Sequence, residues 1–490
     1  CDDMWTGLHT NFNLDADGET LLLSNSSQTT LDQVTYPKQF INISYGRLPT
    51  GSATWSYLNN PTPATANTGT AVTTQLAPPS FSLSAGKYSA AQQVSITHTI
   101  AGVQIRYTTD GAEPTTASLL YNQPVAITQT QVLKAKAFHN EYINSNTTIA
   151  TYIIETRNFT LPIVSISTKP AYLTNNTIGI YVDGTNGIPG NCVSTPVNWN
   201  QDWDRHAVFE YFKADGTPEF SQTIDIRIRG ACSRSRPQRS LVLRARDKFG
   251  SKTMDYPFFS SKENNSFGGL LLRNSGNDFE YTMFRDALLQ SIPQGQMDVD
   301  YMAYQPTTVF LNGQYWGVMN LREKIDGDYI ESNFAIDKDD VDLLETGGSV
   351  IEGSAFAYNN FLNTLDQMDA NDPGTFTFID QHIDVQEYIN YLTAEIYYAN
   401  TDWPGNNTKF WRQVSTNGKF RWILWDTDFG FGLYDIPATH PTFDFATDPD
   451  NTTWPNPAWS TLLIRLVLAN PEFRTRFLQT FTTAMGTTFK

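Results

Sequence analysis

Apolar residues in the first 155 positions fall in short runs that alternate with polar ones, and stretches rich in Asn, Gly, Pro, Ser and Thr separate the runs. A two-residue period marks strands with one buried face, so 20–23, 34–36 and 41–45 are expected to be strands of a small β-sandwich. Evenly spaced runs at 94–98, 105–108, 125–127, 132–138 and 150–154 predict a second sandwich. Between them, 66–76 is built from Thr, Ala, Asn and Gly with little periodicity, which reads as a linker, and a new domain starts after Pro78-Pro79.

After Leu161 the texture changes. Strands are expected at 162–167 and 179–182. At 224–229 and 241–246 apolar residues alternate with charged ones, as on half-buried strands of an antiparallel sheet. Helical spacing governs 282–292, 385–400, 459–468 and 471–485, with Pro471 in the first turn of the last, and a further helix begins at 328–333. Asn312-Gly313 and Asn417-Gly418 mark tight turns of hairpins at 309–318 and 410–425. The expected fold class is multidomain: two N-terminal all-β sandwiches over 1–68 and 79–155, a linker at 69–78, and an α+β domain over 160–490.

The second hairpin carries chemistry at its ends. Asp402, Asn406 and Asn407 precede its first strand, and Asp426 and Asp428 follow its second. Because a hairpin brings its outer ends together, these oxygen-bearing side chains are expected to converge. Converging carboxylates repel one another unless a cation sits between them, and oxygen donors without His or Cys favour Mg²⁺, Mn²⁺ or Ca²⁺. On this reading Asp426 and Asp428 hold metal, Asn407 holds a second metal or positions a group, and Asp402 meets an acceptor hydroxyl or metal. Taken singly, each residue reads equally well as a turn or capping residue. The order Asp402, Asn407, Asp428-Phe429-Gly430 repeats that of protein kinases, but the His-Arg before the first Asp is missing here.

Charge narrows the partners. With 33 basic against 50 acidic residues the chain carries −17, which disfavours nucleic acid and anionic membranes as partners. Against that background the loop 229–239 holds Arg229, Arg234, Arg236 and Arg239, a set suited to phosphate oxygens or to offsetting acidic neighbours. Glu323 and Lys324 are adjacent on an expected strand and therefore point to opposite faces, so they are not each other's partner. The only cysteines are Cys1, Cys192 and Cys232. None is at zinc spacing, and Cys192 and Cys232 fit either a bridge or two free thiols. No run is apolar enough to cross a membrane, and a first residue of Cys suggests a mature or excised form, including a lipid-anchored one.

Three segments resemble known families. Gly18 to Ser24, Ser44-Tyr45-Gly46-Arg47, Trp55 and Pro61-Thr62-Pro63 resemble the second half of the lamin-tail domain, an immunoglobulin-like fold of secreted bacterial proteins. Ile105 to Gly111, Glu113-Pro114-Thr115 and Leu133 to Phe138 resemble the chitobiase/β-hexosaminidase C-terminal-type domain, an accessory sandwich that is not itself the hydrolase. From Leu161 onward, Ile228-Arg229-Gly230, Leu272-Arg273, Arg285-Asp286, Trp316-Gly317, Leu321-Arg322-Glu323-Lys324-Ile325-Asp326 and Trp425-Asp426-Thr427-Asp428 are similar to the CotH kinase family, named for a spore-coat protein. That resemblance implies an atypical protein-kinase-like domain, secreted or at the cell surface. Such a domain would transfer the γ-phosphoryl of ATP to Ser or Thr of a protein outside the cytoplasm, with Mg²⁺ or Mn²⁺. Glu323, Arg239 and Arg229 would organise the phosphates. Many members have Lys where this chain has Arg239. Two rival readings are a surface scaffold with a degenerate kinase fold, and a glycoside hydrolase using Asp402 with Asp426 or Asp428 beside Trp403, Trp411 and Trp425. Cell-surface carbohydrate, met through the β modules, is a further expected partner.

Overall fold

The computed structural model describes residues 14–40, 43–190 and 192–490. Cys1 and the start of the run at 41–45 lie outside the described residues. The first segment forms two separate antiparallel hairpins, Gly18–Ser24 with Thr30–Pro37 and Ser44–Arg47 with Trp55–Leu58, in place of the expected sandwich. Leu22 and Leu23 stay 61% exposed because no facing sheet covers them among the described residues. The stretch read as a linker is anchored at both ends. Val72 N–H donates to Tyr57 O at 3.3 Å and Leu76 N–H to Ile143 O at 3.0 Å, and both side chains are buried.

In the second module Gln104–Thr108, Gln131–Phe138 and Thr148–Ile154 form the centre of a five-stranded sheet. Two small ladders, Gln92–Val94 with Val125–Ile127 and Ser80–Phe81 with Ile96–Thr97, complete the module. Alternate residues of these strands, among them Val94, Ile127, Leu133 and Tyr152, make one apolar core. This module is seated on the domain C-terminal to it. Ile153 packs with Ile163, Phe212 and Phe310, and the buried Glu210 carboxylate accepts hydrogen bonds from the backbone N–H and hydroxyl of Thr151.

The alternating strands after 161 close into a seven-stranded barrel in the order Ile163–Thr168, Arg205–Phe212, Pro218–Arg229, Ser240–Arg244, Gly269–Arg273, Gln314–Glu323 and Tyr304–Leu311. Closure comes from one parallel ladder, Ile163 to Ile166 beside Thr308 to Leu311. The expected strand at 179–182 is absent. Ile180 and Tyr181 donate their N–H groups back to Tyr172 and Leu173 of the short helix Pro170–Thr174 and form no ladder. Cys192 and Cys232 form a disulfide, with Cα atoms 5.2 Å apart.

Beyond the barrel a second five-stranded sheet orders Asp300–Tyr301, Arg421–Leu424, Lys409–Gln413, Val341–Glu345 and Ser349–Glu352. Its central hairpin is the expected one. The connection is longer than a two-residue turn, however, with Asn417 in the left-handed region (φ 50°) and Gly418 N–H donating to Gln413 O at 2.9 Å. The helix Val385–Tyr397, started by Asp384, which accepts from Glu387 N–H, lies buried between this sheet and the helices Ala458–Ala469 and Pro471–Gly486. Its apolar residues meet Phe410, Trp422, Ile464 and Phe473, so the end of the helix and the two hairpin ends share one rigid core.

Candidate active site

Two bends aim the acidic residues. Past the helix Val385–Tyr397, Asn400 bonds back to Glu395 (Nδ2 to Oε2, 2.8 Å) and accepts Asp402 N–H at 3.1 Å, which fixes the loop that carries Asp402. Asn407 and Asp426, at the outer ends of the two hairpin strands, both adopt left-handed backbone, φ 53° and 54°. Asn and Asp tolerate this region better than other residues with a Cβ, though at some cost, and such strain collects at functional sites. The two residues touch, since Asn407 Nδ2 donates to Asp402 Oδ2 at 2.9 Å and to Asp426 O at 3.3 Å. Asn406 Nδ2 donates to the other oxygen of Asp402 at 3.1 Å.

Arg273, at the end of its barrel strand, reaches across this group. Its Nη2 pairs with Asp426 and lies 3.1 Å from Asp428 Oδ2, while Nε lies 3.8 Å from Asp286. Asn277 N–H donates to Asp428 at 2.9 Å. The approach depends on Gly276 (φ 59°): a Cβ there would sit 2.4 Å from Asp428 Oδ2 and 2.7 Å from Arg273 Nη2. Asp286 accepts from Thr427 N–H at 2.9 Å and pairs with the buried Arg322, so it fastens the Asp428 turn to the barrel.

Burial dominates the electrostatics. It pushes the Asp402 carboxyl up to about 7, with the neighbouring Asp426 adding to the rise and the Asn406 and Asn407 amides opposing it. Burial and Asp426 hold Asp428 well above the usual carboxylate range against the pull of Arg273. Asp286 is lowered in spite of its burial, because Arg322 and Arg273 stand beside it. Glu395, buried behind Asp402, is raised to about 8 by desolvation.

The sequence-derived set therefore divides. Asp402, Asn407, Asp426 and Asp428 come together. Arg229, exposed at the end of its strand, makes no ion pair with any described residue and lies close enough, with Lys324, to depress Lys409 electrostatically once burial has lowered it. Lys409 pairs with Glu345 at 2.6 Å and sits 4.3 Å from the Trp425 ring centre. Arg239 is not brought to the carboxylates. It is buried, donates to the carbonyls of Arg234 (2.8 Å) and Tyr181 (3.2 Å), and lies over the Tyr181 and Trp199 rings. Glu323 is also engaged elsewhere, with Lys262 at 2.6 Å, Asn264, Asn333 and the N–H of Ala303. Trp403 and Trp411 are both buried, with their indole N–H groups donated to Tyr391 and Asp300.

Among the described residues no three His, Cys, Asp or Glu side chains surround a common cation position, because Arg273 lies between Asp426 and Asp428. The donor set nonetheless fits a hard divalent ion. It is all oxygen, and Asp428 Oδ1 is buried with no hydrogen-bond partner.

The residues that sequence reasoning left without a role are Arg273, Asp286, Lys262 and Lys409. The available signal was a lone charge beside an apolar run, as for Arg273 after Gly269 to Leu272.

The fold and site define a multidomain protein whose β-rich N-terminal region precedes a barrel-and-helix domain with a cluster of acidic side chains around Arg273. The CotH kinase protein family matches residues 226–490, more than half of the chain, and the chain belongs to that family. The chitobiase/beta-hexosaminidase C-terminal domain family matches residues 83–151. No curated protein matches the chain.

Proposed function

We propose that the chain is an atypical protein kinase that transfers the γ-phosphoryl group of ATP to a Ser or Thr hydroxyl of an exported protein. The observation that carries this reading is the convergence of Asp402, Asn407, Asp426 and Asp428, with Arg273 between the last two. Phosphoryl transfer asks a protein for positioning and electrostatic stabilisation above all. Arg229, exposed and without an ion pair among the described residues, suits phosphate oxygens. Asp402, raised to about 7, suits a general base at neutral pH. It takes the proton of the acceptor hydroxyl as that oxygen bonds to phosphorus and the bond to the β-phosphate oxygen breaks. Asp426, Asp428 and Asn407 would hold Mg²⁺ or Mn²⁺, which when bound offsets negative charge on the phosphate oxygens. Asn407 also keeps Asp402 oriented through the 2.9 Å hydrogen bond.

The Cys192–Cys232 disulfide supports an oxidising compartment, hence a secreted or cell-surface location. No helix among the described residues is long and apolar enough to cross a membrane. We read both N-terminal β segments, the lamin-tail-like one included, as accessory modules whose surroundings include cell-surface carbohydrate. A ligand bound only by the folded state raises the melting temperature. ATP with Mg²⁺ or Mn²⁺ is therefore expected to raise the melt of the full chain, and EDTA to abolish the rise. An unchanged melt at millimolar nucleotide and metal would remove the basis for this reading.

A further inference from the structure

A cavity of about 270 Å³ lies in the helical part of the domain against the loop that follows Asp402. Its walls are rings: Tyr358, Tyr388, Tyr391, Trp403, Trp422 and Trp459. No charged side chain lines it, so a bound ligand would be neutral. An apolar cavity of about 150 Å³ accepts a benzene ring, so this one has room for two fused rings.

The walls are not wholly apolar. The hydroxyls of Tyr388 and Tyr358 make no hydrogen bond with any described residue, and neither oxygen is sealed off, so both are free to meet a ligand. The Tyr391 oxygen, by contrast, accepts Trp403 Nε1–H at 2.8 Å. Two unpaired phenol donors in a ring-lined cavity call for an acceptor on a flat ligand. Trp459, 52% exposed, lies beside Gly347 at the margin and leaves a way in.

We propose that this cavity binds a neutral bicyclic aromatic ligand carrying a hydrogen-bond acceptor, which receives the phenol protons of Tyr388 and Tyr358. The site also adjoins the carboxylates through the chain. Trp403 follows Asp402 and Thr408 follows Asn407, and both line the cavity. The loop is closed by Thr408 Oγ1 donating to Pro404 O at 2.9 Å. A ligand pressed against 403–408 therefore changes how firmly Asp402 and Asn407 are held, and so changes the rate of transfer. That second clause rests on the kinase reading.

Quinoline, neutral above pH 7 and carrying one ring nitrogen as acceptor, is the probe, and naphthalene, of the same shape without it, is the control. Titration calorimetry on the full chain is expected to give one saturable quinoline site. Tyr388→Phe should weaken quinoline about tenfold and leave naphthalene unchanged. Leu463→Trp, which fills the cavity from the helix Ala458–Ala469, should abolish both. The proposal is overturned if no saturable binding occurs at millimolar quinoline, as for a cavity holding water only. It is equally overturned if folded Leu463→Trp still binds, or if Tyr388→Phe weakens both compounds alike. Should Leu463→Trp not fold, the Tyr388→Phe comparison decides alone. Quinoline binding without any effect on an active enzyme refutes the coupling. Binding by a protein that transfers no phosphoryl group refutes the kinase reading and leaves the site standing.

Discussion

Replacing Arg273 by Met tests what holds the acidic cluster together without metal. The guanidinium joins Asp426, Asp428 and Asp286, and the side chain is 14% exposed against 0% for Asp428 and 5% for Asp286. Removing one partner of a buried pair costs about 3–5 kcal/mol, because a charge is left uncompensated. Asp286 keeps Arg322, and Asp426, 23% exposed, can recover some hydration, so the loss should fall near the lower end, about 3 kcal/mol. The remaining debt rests on Asp428. Its folded pKa lies above its unfolded value, so the folded state binds its proton more tightly; its contribution is complete at low pH and is lost as pH rises through the folded pKa. Without Arg273 that folded value climbs further, so the gap between variant and wild type should be no smaller at pH 8 than at pH 5 and should widen once pH passes the wild-type folded value. Urea unfolding in EDTA, followed by tryptophan fluorescence at both pH values, measures it. Arg273→Lys keeps the charge without the fork and should fall between the two. Mn²⁺ should restore part of the loss in Arg273→Met. Identical midpoints for wild type and Arg273→Met at pH 8 would refute the reasoning.

Glu395→Gln tests the other buried carboxyl: wild-type stability should fall between about pH 4.5 and 8 as the unfolded chain ionises while Glu395 stays protonated, and urea midpoints of the variant should lack that slope. Reducing the Cys192–Cys232 bridge, whose cysteines are 40 positions apart, should cost about 4 kcal/mol by loop-closure entropy and lower the melt; an unchanged melt in dithiothreitol contradicts this. A truncation starting at residue 156 uncovers Ile163, Phe212, Phe310 and Glu210, so it should melt several degrees lower than the full chain. It should keep its nucleotide-dependent shift, since the cluster's hydrogen bonds and ion pairs come from residue 273 onward. Loss of that shift would put the functional boundary elsewhere.

The acidic half of the site was legible because it is local. A hairpin turn at Asn417-Gly418 guarantees that the residues before one strand meet those after the other, so Asp402, Asn407, Asp426 and Asp428 could be brought together by spacing alone. The basic half was not, because the Arg273–Asp426 pair joins positions 153 apart and no periodicity records such a contact. Arg239 illustrates the same limit from the other side. The loop composition showed the charge, while its direction was set by Tyr181 and Trp199 from another part of the chain. The apolar run at 180–182 looked like a strand, yet its backbone found partners in the preceding helix. Alternation at 224–229 and 241–246 marked strands, but Ile224 to Ile226 and Ser240 to Leu243 are buried on both faces, and closure into a barrel depends on the parallel meeting of Ile163 and Thr308, which alternation does not encode.

The most direct test of the central claim is transfer of radiolabelled γ-phosphate from ATP to Ser-rich exported proteins, with Mg²⁺ or Mn²⁺, by wild type and by Asp426→Asn. The substitution keeps shape and removes charge that a metal and its phosphates would need, so a folded Asp426→Asn should transfer at least about 100-fold more slowly. No labelling above background by folded wild type with either metal, or equal labelling by the two proteins, would contradict the account.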